Sequence, residues 1–237
     1  MEERRVVNDT GLAAFFNRVY STVGLGIAVT SLISYLLGTV FVDSYTSFIN
    51  SSPLMFWLMT LMPFILLFVM NNKAARRSGA YATVVFTLIS ASFGFMYASL
   101  FIRYELGTMT AALLTTAVAF ITMSVVGRVT KQDLSRAGAI ASNALIGIIL
   151  VTLINVFLIH SSGMQLIMAY VILIVFLVLT AWDNQALKRM YLTAGQSGQP
   201  AYSMNSLAIQ GALMLYLDFL NMFMAILQIF GGGSDRN

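Results

Sequence analysis

The chain is 237 residues long, 59% hydrophobic and 9% charged, with a mean hydropathy of +0.84. Soluble domains carry about 25% charged residues, so soluble globular, disordered and collagen-like classes are excluded, and a polytopic helical membrane protein is implied. The net charge of +4 is no nucleic-acid footprint, because the basic residues lie between apolar runs, and the absence of cysteine removes disulfides, thiolate metal sites and thiol catalysis.

A membrane-crossing helix needs about 20 apolar residues. Seven runs qualify in chain order: 20–42, 54–71, 80–102, 108–127, 137–159, 164–183 and 207–230. Their unbroken apolar character argues against a β-barrel, whose strands alternate every second residue. The first run is too long for a signal-peptide core and reads as a retained span. The resulting organisation is one all-α membrane domain, with a cytoplasmic tail over 1–19, a helix bundle over 20–230 and an outer tail over 231–237. Asn184–Ser206, which holds Gly195, Gly198 and Pro200, reads as a polar connection between the last two spans.

Basic residues set the orientation. Arg4, Arg5 and Arg18 precede the first span; Lys73, Arg76 and Arg77 follow the second; Arg128, Lys131 and Arg136 follow the fourth; Lys188 and Arg189 follow the sixth. Only Arg103 and Arg236 fall on the opposite side. The positive-inside rule therefore predicts a cytoplasmic N-terminus and an outer C-terminus, which an odd number of spans requires. Short loops suggest a bacterial inner membrane, with the endoplasmic reticulum membrane as the alternative.

The last span carries the costliest group. Asp218 lies in SLAIQGALMLYLDFLNMFMAILQIF, and a carboxylate at the centre of a membrane helix costs roughly 2.5–3.5 kcal/mol on insertion scales. Gln210, Met214, Asp218, Asn221, Ala225 and Gln228 recur at intervals of three or four, which keeps them on one helical face. A polar stripe in lipid must turn toward protein or a water-filled cavity, so the seventh helix is predicted to lie inside the bundle. Asn221 and Gln228 could serve as interhelical hydrogen-bonding groups.

Asp183 is the second acid of interest. It closes the sixth run in LTAWDNQALKRMY, with Thr180 three residues earlier on the same face. It could mark the membrane boundary or pair with Lys188 or Arg189. Asn155 and Asn143 in the fifth span are expected to hydrogen-bond across helices, Asp133 to help start the fifth helix, and His160, the only histidine, to sit at the interface. No metalloprotease, serine-hydrolase or phosphate-loop motif is present, so no enzyme is expected. Intramembrane aspartyl proteases also use two acids, but the second motif of that class, GxGD, is missing.

Several stretches resemble the Bax inhibitor-1 family, also called the transmembrane Bax-inhibitor-motif family. GRVTKQDLSRAG resembles the family's connection between helices four and five, and ALIGIILVTLINVFL its fifth helix. LTAWDNQALKRM with GALMLYLDFLNMFMAILQIFG resembles the end of its sixth helix and its seventh, and NRVYSTVGLGIAV is a weaker echo near the N-terminus. The resemblance implies six helices around a central seventh, and a di-aspartyl sensor whose positions match Asp183 and Asp218. It also implies a pH-sensitive calcium leak pathway, or a modulator of cell-death or membrane-protease machinery. One feature departs from the pattern: some members carry an arginine in helix two that pairs with the sensor, and this chain has none between Ser52 and Asn71.

These readings give a definite expectation. Asp183 and Asp218 would share a proton and, when deprotonated, bind calcium weakly, supported by Asn221, Gln210, Thr180 and Asn155. Lipid, protons and calcium are the expected partners, with no resident cofactor. The rival expectation is a non-conducting regulator of a membrane protease or quality-control partner, acting through residues 1–18. A proton-coupled carrier would use the same acids. One geometric condition stands out: Asp218 lies about 12–16 Å below the cytoplasmic edge at 1.5 Å per residue. Pairing therefore requires helix six to continue past Asp183, through Leu187 toward Tyr191, or a cavity reaching down.

Overall fold

The computed structural model describes residues 2–196 and 204–232, with side chains described from Thr10 to Thr193 and from Met204 to Gly232. The described chain is helical throughout: α1 (Glu2–Tyr35), α2 (Val42–Ser51), α3 (Pro53–Met70), α4 (Lys73–Arg77), α5 (Gly79–Tyr97), α6 (Leu100–Arg103), α7 (Leu106–Val129), α8 (Ser135–Ile154), α9 (Ser162–Gln196) and α10 (Met204–Gly231). Single π-helical turns, Leu36–Val40 and Asn155–Ile159, extend α1 and α8. Seven segments are long and apolar enough to cross a membrane: Thr10–Val40, Pro53–Met70, Gly79–Arg103, Leu106–Val129, Ser135–Ile159, Ser162–Thr193 and Met204–Gly231. This is an all-α polytopic membrane protein.

Five of the seven spans agree with the sequence reading to within a few residues. The first and sixth are longer. The helix that carries span one starts at Glu2, so residues 2–19 are helical and not a separate tail. Phe15, Phe16 and Val19 are buried, and the Phe15 ring lies 5.0 Å from that of Tyr191. The polar residues after Asp183 continue α9 to Gln196, so only the end of the expected Asn184–Ser206 connection remains between α9 and α10, and Gly198 and Pro200 lie outside the described residues.

The chain divides into two compact units. The first comprises residues 1–104 and 191–216, the second residues 105–190 and 217–237. In the first unit α1 packs along α5. Gly26 and Gly94 make the approach possible: a Cβ on Gly26 would meet the Phe86 ring, and one on Gly94 would meet Ile33. A buried polar chain crosses this contact. Thr30 Oγ1 donates to the Ser90 carbonyl at 2.9 Å and so accepts from the Tyr216 hydroxyl at 2.6 Å. Phe86 and Phe93 stand edge-on to the Tyr216 ring, at 5.4 and 6.0 Å. The start of α10 is fastened to the same unit by a hydrogen bond from Ser206 Oγ to the Ala75 carbonyl.

The second unit holds α7, α8, most of α9 and the end of α10. Met109, Ala112, Thr116, Phe120, Ser124 and Gly127 form the buried stripe of α7 at helical spacing. Its α8–α9 turn is made by one side chain. Asn155 Nδ2 donates to the Ser161 carbonyl at 3.2 Å, and Ser161 N donates to Asn155 Oδ1 at 3.0 Å. This bracket holds His160 at φ 55°, a left-handed conformation that non-glycine residues rarely adopt. Replacing Asn155 with Leu removes both bonds and leaves the turn backbone unsatisfied. The expected loss is about 1–3 kcal/mol, read as a lowered unfolding midpoint in detergent.

Candidate functional site

The site is built where α9 and α10 meet in the second unit. Asp183 and Asp218 are both buried, 7% and 4% exposed, and their carboxyls lie within hydrogen-bonding reach of each other. The extension of α9 makes this possible. Asp183 stands thirteen residues before the end of α9 and Asp218 fourteen after the start of α10. Each acid is therefore about 20 Å along its helix from the connection, at 1.5 Å per residue. The geometric condition raised by the sequence is met by helix continuation.

Thr180, one turn before Asp183, is fully buried and completes the cluster. Its hydroxyl lies 2.7 Å from the Phe176 carbonyl, which accepts its proton, and it also reaches Asp218. Asp183 Oδ1 and Asp218 Oδ2 find no other hydrogen-bond partner. The Phe219 ring, next to Asp218, packs edge-on against Phe120 at 5.6 Å. Among the described residues no third Asp, Glu or His joins the pair.

The polar stretch after Asp183 is absorbed by contacts with α7, α8 and the segment between them. Asn184 is fully buried; its Nδ2 donates to Ser124 Oγ at 3.2 Å and to the Thr180 carbonyl at 2.7 Å. Gln185 Oε1 accepts from Leu134 N at 2.9 Å while its Nε2 donates to the Gln132 carbonyl at 2.7 Å. Lys188 Nζ donates to the Arg128 carbonyl, and Arg189 bridges Asp133 at 3.1 Å and Ser135 Oγ at 2.8 Å. Neither Lys188 nor Arg189 forms an ion pair with Asp183; the ion pair among the described residues is Arg189–Asp133. Asp133 also accepts from Ser135 N at 3.0 Å at the start of α8, the helix-starting role expected for it.

Two glycines bring helices onto the Asp183 turn. A Cβ on Gly127 would strike the Ala181 backbone, and one on Gly138 would strike the Trp182 ring. Both α7 and α8 therefore contact α9 within two residues of Asp183.

The family profile described as "Inhibitor of apoptosis-promoting Bax1" matches residues 12–235, nearly the whole chain. The chain belongs to the Bax inhibitor-1 family. Its relatives within reach of sequence comparison include a membrane protein of Streptococcus pyogenes serotype M1, 36% identical over 225 residues, covering 94% of this chain and 95% of that one. Another is the inner membrane protein YbhL of Escherichia coli K12, 36% identical over 233 residues, with 93% and 92% covered. YrjE of Lactococcus lactis is 33% identical over 241 residues, with both chains covered in full.

In this Bax inhibitor-1 family member the supporting polar residues do not all gather where the sequence placed them. Thr180 does. Asn221 does not: it is exposed, and its Nδ2 donates to the Leu217 carbonyl of its own helix at 2.8 Å. Three residues turn the helix by 300°, so Asn221 lies 60° from Asp218 around the axis, which is enough to leave the buried face. Gln210 bonds Ser206 at 3.4 Å in the first unit, and Asn155 makes the α8–α9 turn. The sequence reading missed Asn184 and Ser124. Their signal was an amide and a hydroxyl inside apolar helices, where each must find a partner.

Two measurements test this architecture. Gly127→Ala places a methyl against backbone that cannot rotate away, and is expected to destabilise the protein by about 1–3 kcal/mol; Gly138→Ala meets a side chain and costs less. The second concerns the exposed Asp133. The Ser135 backbone N–H and hydroxyl, then the Arg189 guanidinium, hold its carboxyl below the ordinary value of 3.8. A lowered folded-state value stabilises above 3.8 and is lost as pH falls through the depressed value. The protection of the Ser135 amide, taken relative to its intrinsic exchange rate at each pH, is expected to fall on acidification below 3.8 in the native chain, and to show no such acid-side fall in Asp133→Asn.

Proposed function

We propose that this protein is a pH-sensitive leak pathway for calcium, gated by a proton shared between Asp183 and Asp218. The observation that carries the reading is the contact between these two buried carboxyls inside a membrane span. Two carboxylates in contact and away from water cannot both ionise cheaply, so they titrate as a pair. Asp183 Oδ1 and Asp218 Oδ2 have no donor elsewhere, and one proton between the carboxyls is the donor that satisfies them. The Thr180 hydroxyl, within reach of both the Phe176 carbonyl and Asp218, stands beside the pair.

Proton loss changes the contact from a hydrogen bond into a repulsion between α9 and α10. A hard cation that takes oxygen ligands relieves it, and calcium fits that description. Two carboxylates and one hydroxyl make a small ligand set, which leaves the ion partly hydrated. Weak binding suits passage, because a conducting site must release what it binds. Asn221 plays no part in this site, since its amide is turned onto its own helix. The proposal includes a bacterial inner membrane, where the related YbhL is an inner membrane protein, and a cytoplasmic N-terminus, which the distribution of basic residues supports.

In proteoliposomes, calcium flux through the native chain is expected to rise as pH is raised through the titration of the pair. Asp183→Asn and Asp218→Asn remove the repulsion and are expected to abolish that pH response. Unchanged flux and pH response in both variants would exclude the di-aspartyl gate. Absence of flux from the native chain at every pH would favour a non-conducting regulator, and saturable solute counterflow would favour a proton-coupled carrier.

A further inference from the structure

Away from the acids, the first unit carries an open groove of about 180 Å³ along α1 and α5, closed at one side by Ile209 of α10. Arg18 stands at one end, at the edge of the apolar part of span one, and its guanidinium forms no ion pair with a described residue. Thr22, Thr83, Thr87 and Ser90 line the wall. Each hydroxyl has given its proton to its own helix: Thr22 to the Arg18 carbonyl at 2.8 Å, Thr83 to Gly79 at 2.9 Å, Thr87 to Thr83 at 3.0 Å and Ser90 to Phe86 at 3.0 Å. What these hydroxyls present to the groove is therefore lone pairs. Beyond them the lining is apolar, through Leu25, Val29 and Ile209, with Gly26 lying against the Phe86 ring.

The groove thus offers a cation at the membrane edge, hydrogen-bond acceptors next to it, and an apolar channel leading into the span. We propose that it holds one anionic phospholipid with a hydroxylated headgroup, of the phosphatidylglycerol type. Its phosphate pairs with Arg18, its headgroup hydroxyls donate to Thr22, Thr83 and Thr87, and an acyl chain lies over Val29 and Ile209. A zwitterionic choline headgroup has no hydroxyl to donate and brings a second cation toward Arg18. The charge and the acceptors together select the lipid, and the channel retains it. This site rests on the first unit alone and is independent of the proposed leak.

The test is native mass spectrometry of the full delipidated chain in detergent. The probes are phosphatidylglycerol, phosphatidylcholine and phosphatidic acid of matched chains, with inorganic phosphate as a fourth. One phosphatidylglycerol is expected to be retained preferentially. Arg18→Gln should weaken its retention by about fivefold or more, as expected for one basic group at a membrane surface, and Arg18→Lys should restore most of it. Thr83→Val with Thr87→Val should remove the preference for phosphatidylglycerol over phosphatidic acid. Val29→Trp should block retention of either lipid, while Lys131→Gln in the second unit leaves it unchanged. Equal retention of phosphatidylcholine, binding of inorganic phosphate as tight as that of the lipid, or insensitivity to both Arg18→Gln and Val29→Trp would overturn the proposal.

Discussion

Two carboxyls buried side by side constrain everything around them. An ionised acid deep in a membrane span is expensive, and a second one in contact with it more so. The arrangement holds only if both helices bring their acids to the same depth and if neighbours exclude a competing environment. In this chain α9 runs well past Asp183, α7 and α8 close on the Asp183 turn through Gly127 and Gly138, and Phe120 packs on Phe219 beside Asp218. The polar residues that follow Asp183 are what permit the helix to continue. Asn184, Gln185, Lys188 and Arg189 each find a partner on α7, on α8 or in the segment between them. A sequence that looks like the end of a membrane helix is in fact a membrane helix with a fastened polar edge.

That distinction explains what could be read from the sequence and what could not. Hydropathy located all seven spans, because long apolar segments leave no alternative in lipid. It ended the sixth too early, because hydropathy sees the polarity of Asn184–Arg189 and not the loop carbonyls and side chains that answer it. It likewise took residues up to Arg18 as tail, although Phe15, Phe16 and Val19 bury a face of the same helix. An apolar 18-residue window of the seventh span, the helix expected to lie inside the bundle, is 61% buried, against 11–50% for the windows of the other six. Within it, spacing put Asp218 and Asn221 on one face, and the 60° between them around the axis leaves the first buried and the second exposed. The partner of Asp218 was supplied by family resemblance, and contact between the two acids depends on helix length that composition does not encode.

The hydroxyl groups show a second regularity. Many threonines and serines in the spans return their protons to the carbonyl four residues back, as Thr83, Thr87, Thr110, Thr115 and Thr122 do. This is how a polar side chain is tolerated in lipid without a neighbour. It also means that such a residue meets its surroundings as an acceptor. Several such hydroxyls, those of Thr22, Thr83, Thr87 and Ser90, line the α1–α5 groove.

The central claim is that Asp183 and Asp218 hold a proton between them. Infrared difference spectroscopy between acidic and alkaline samples reads this directly, through the carbonyl stretch of a protonated carboxyl. The account predicts a band that disappears on alkalinisation in the native chain and is lost or displaced in both Asp183→Asn and Asp218→Asn. A band unchanged in both variants, or no titrating carboxyl band in the native chain, would contradict it.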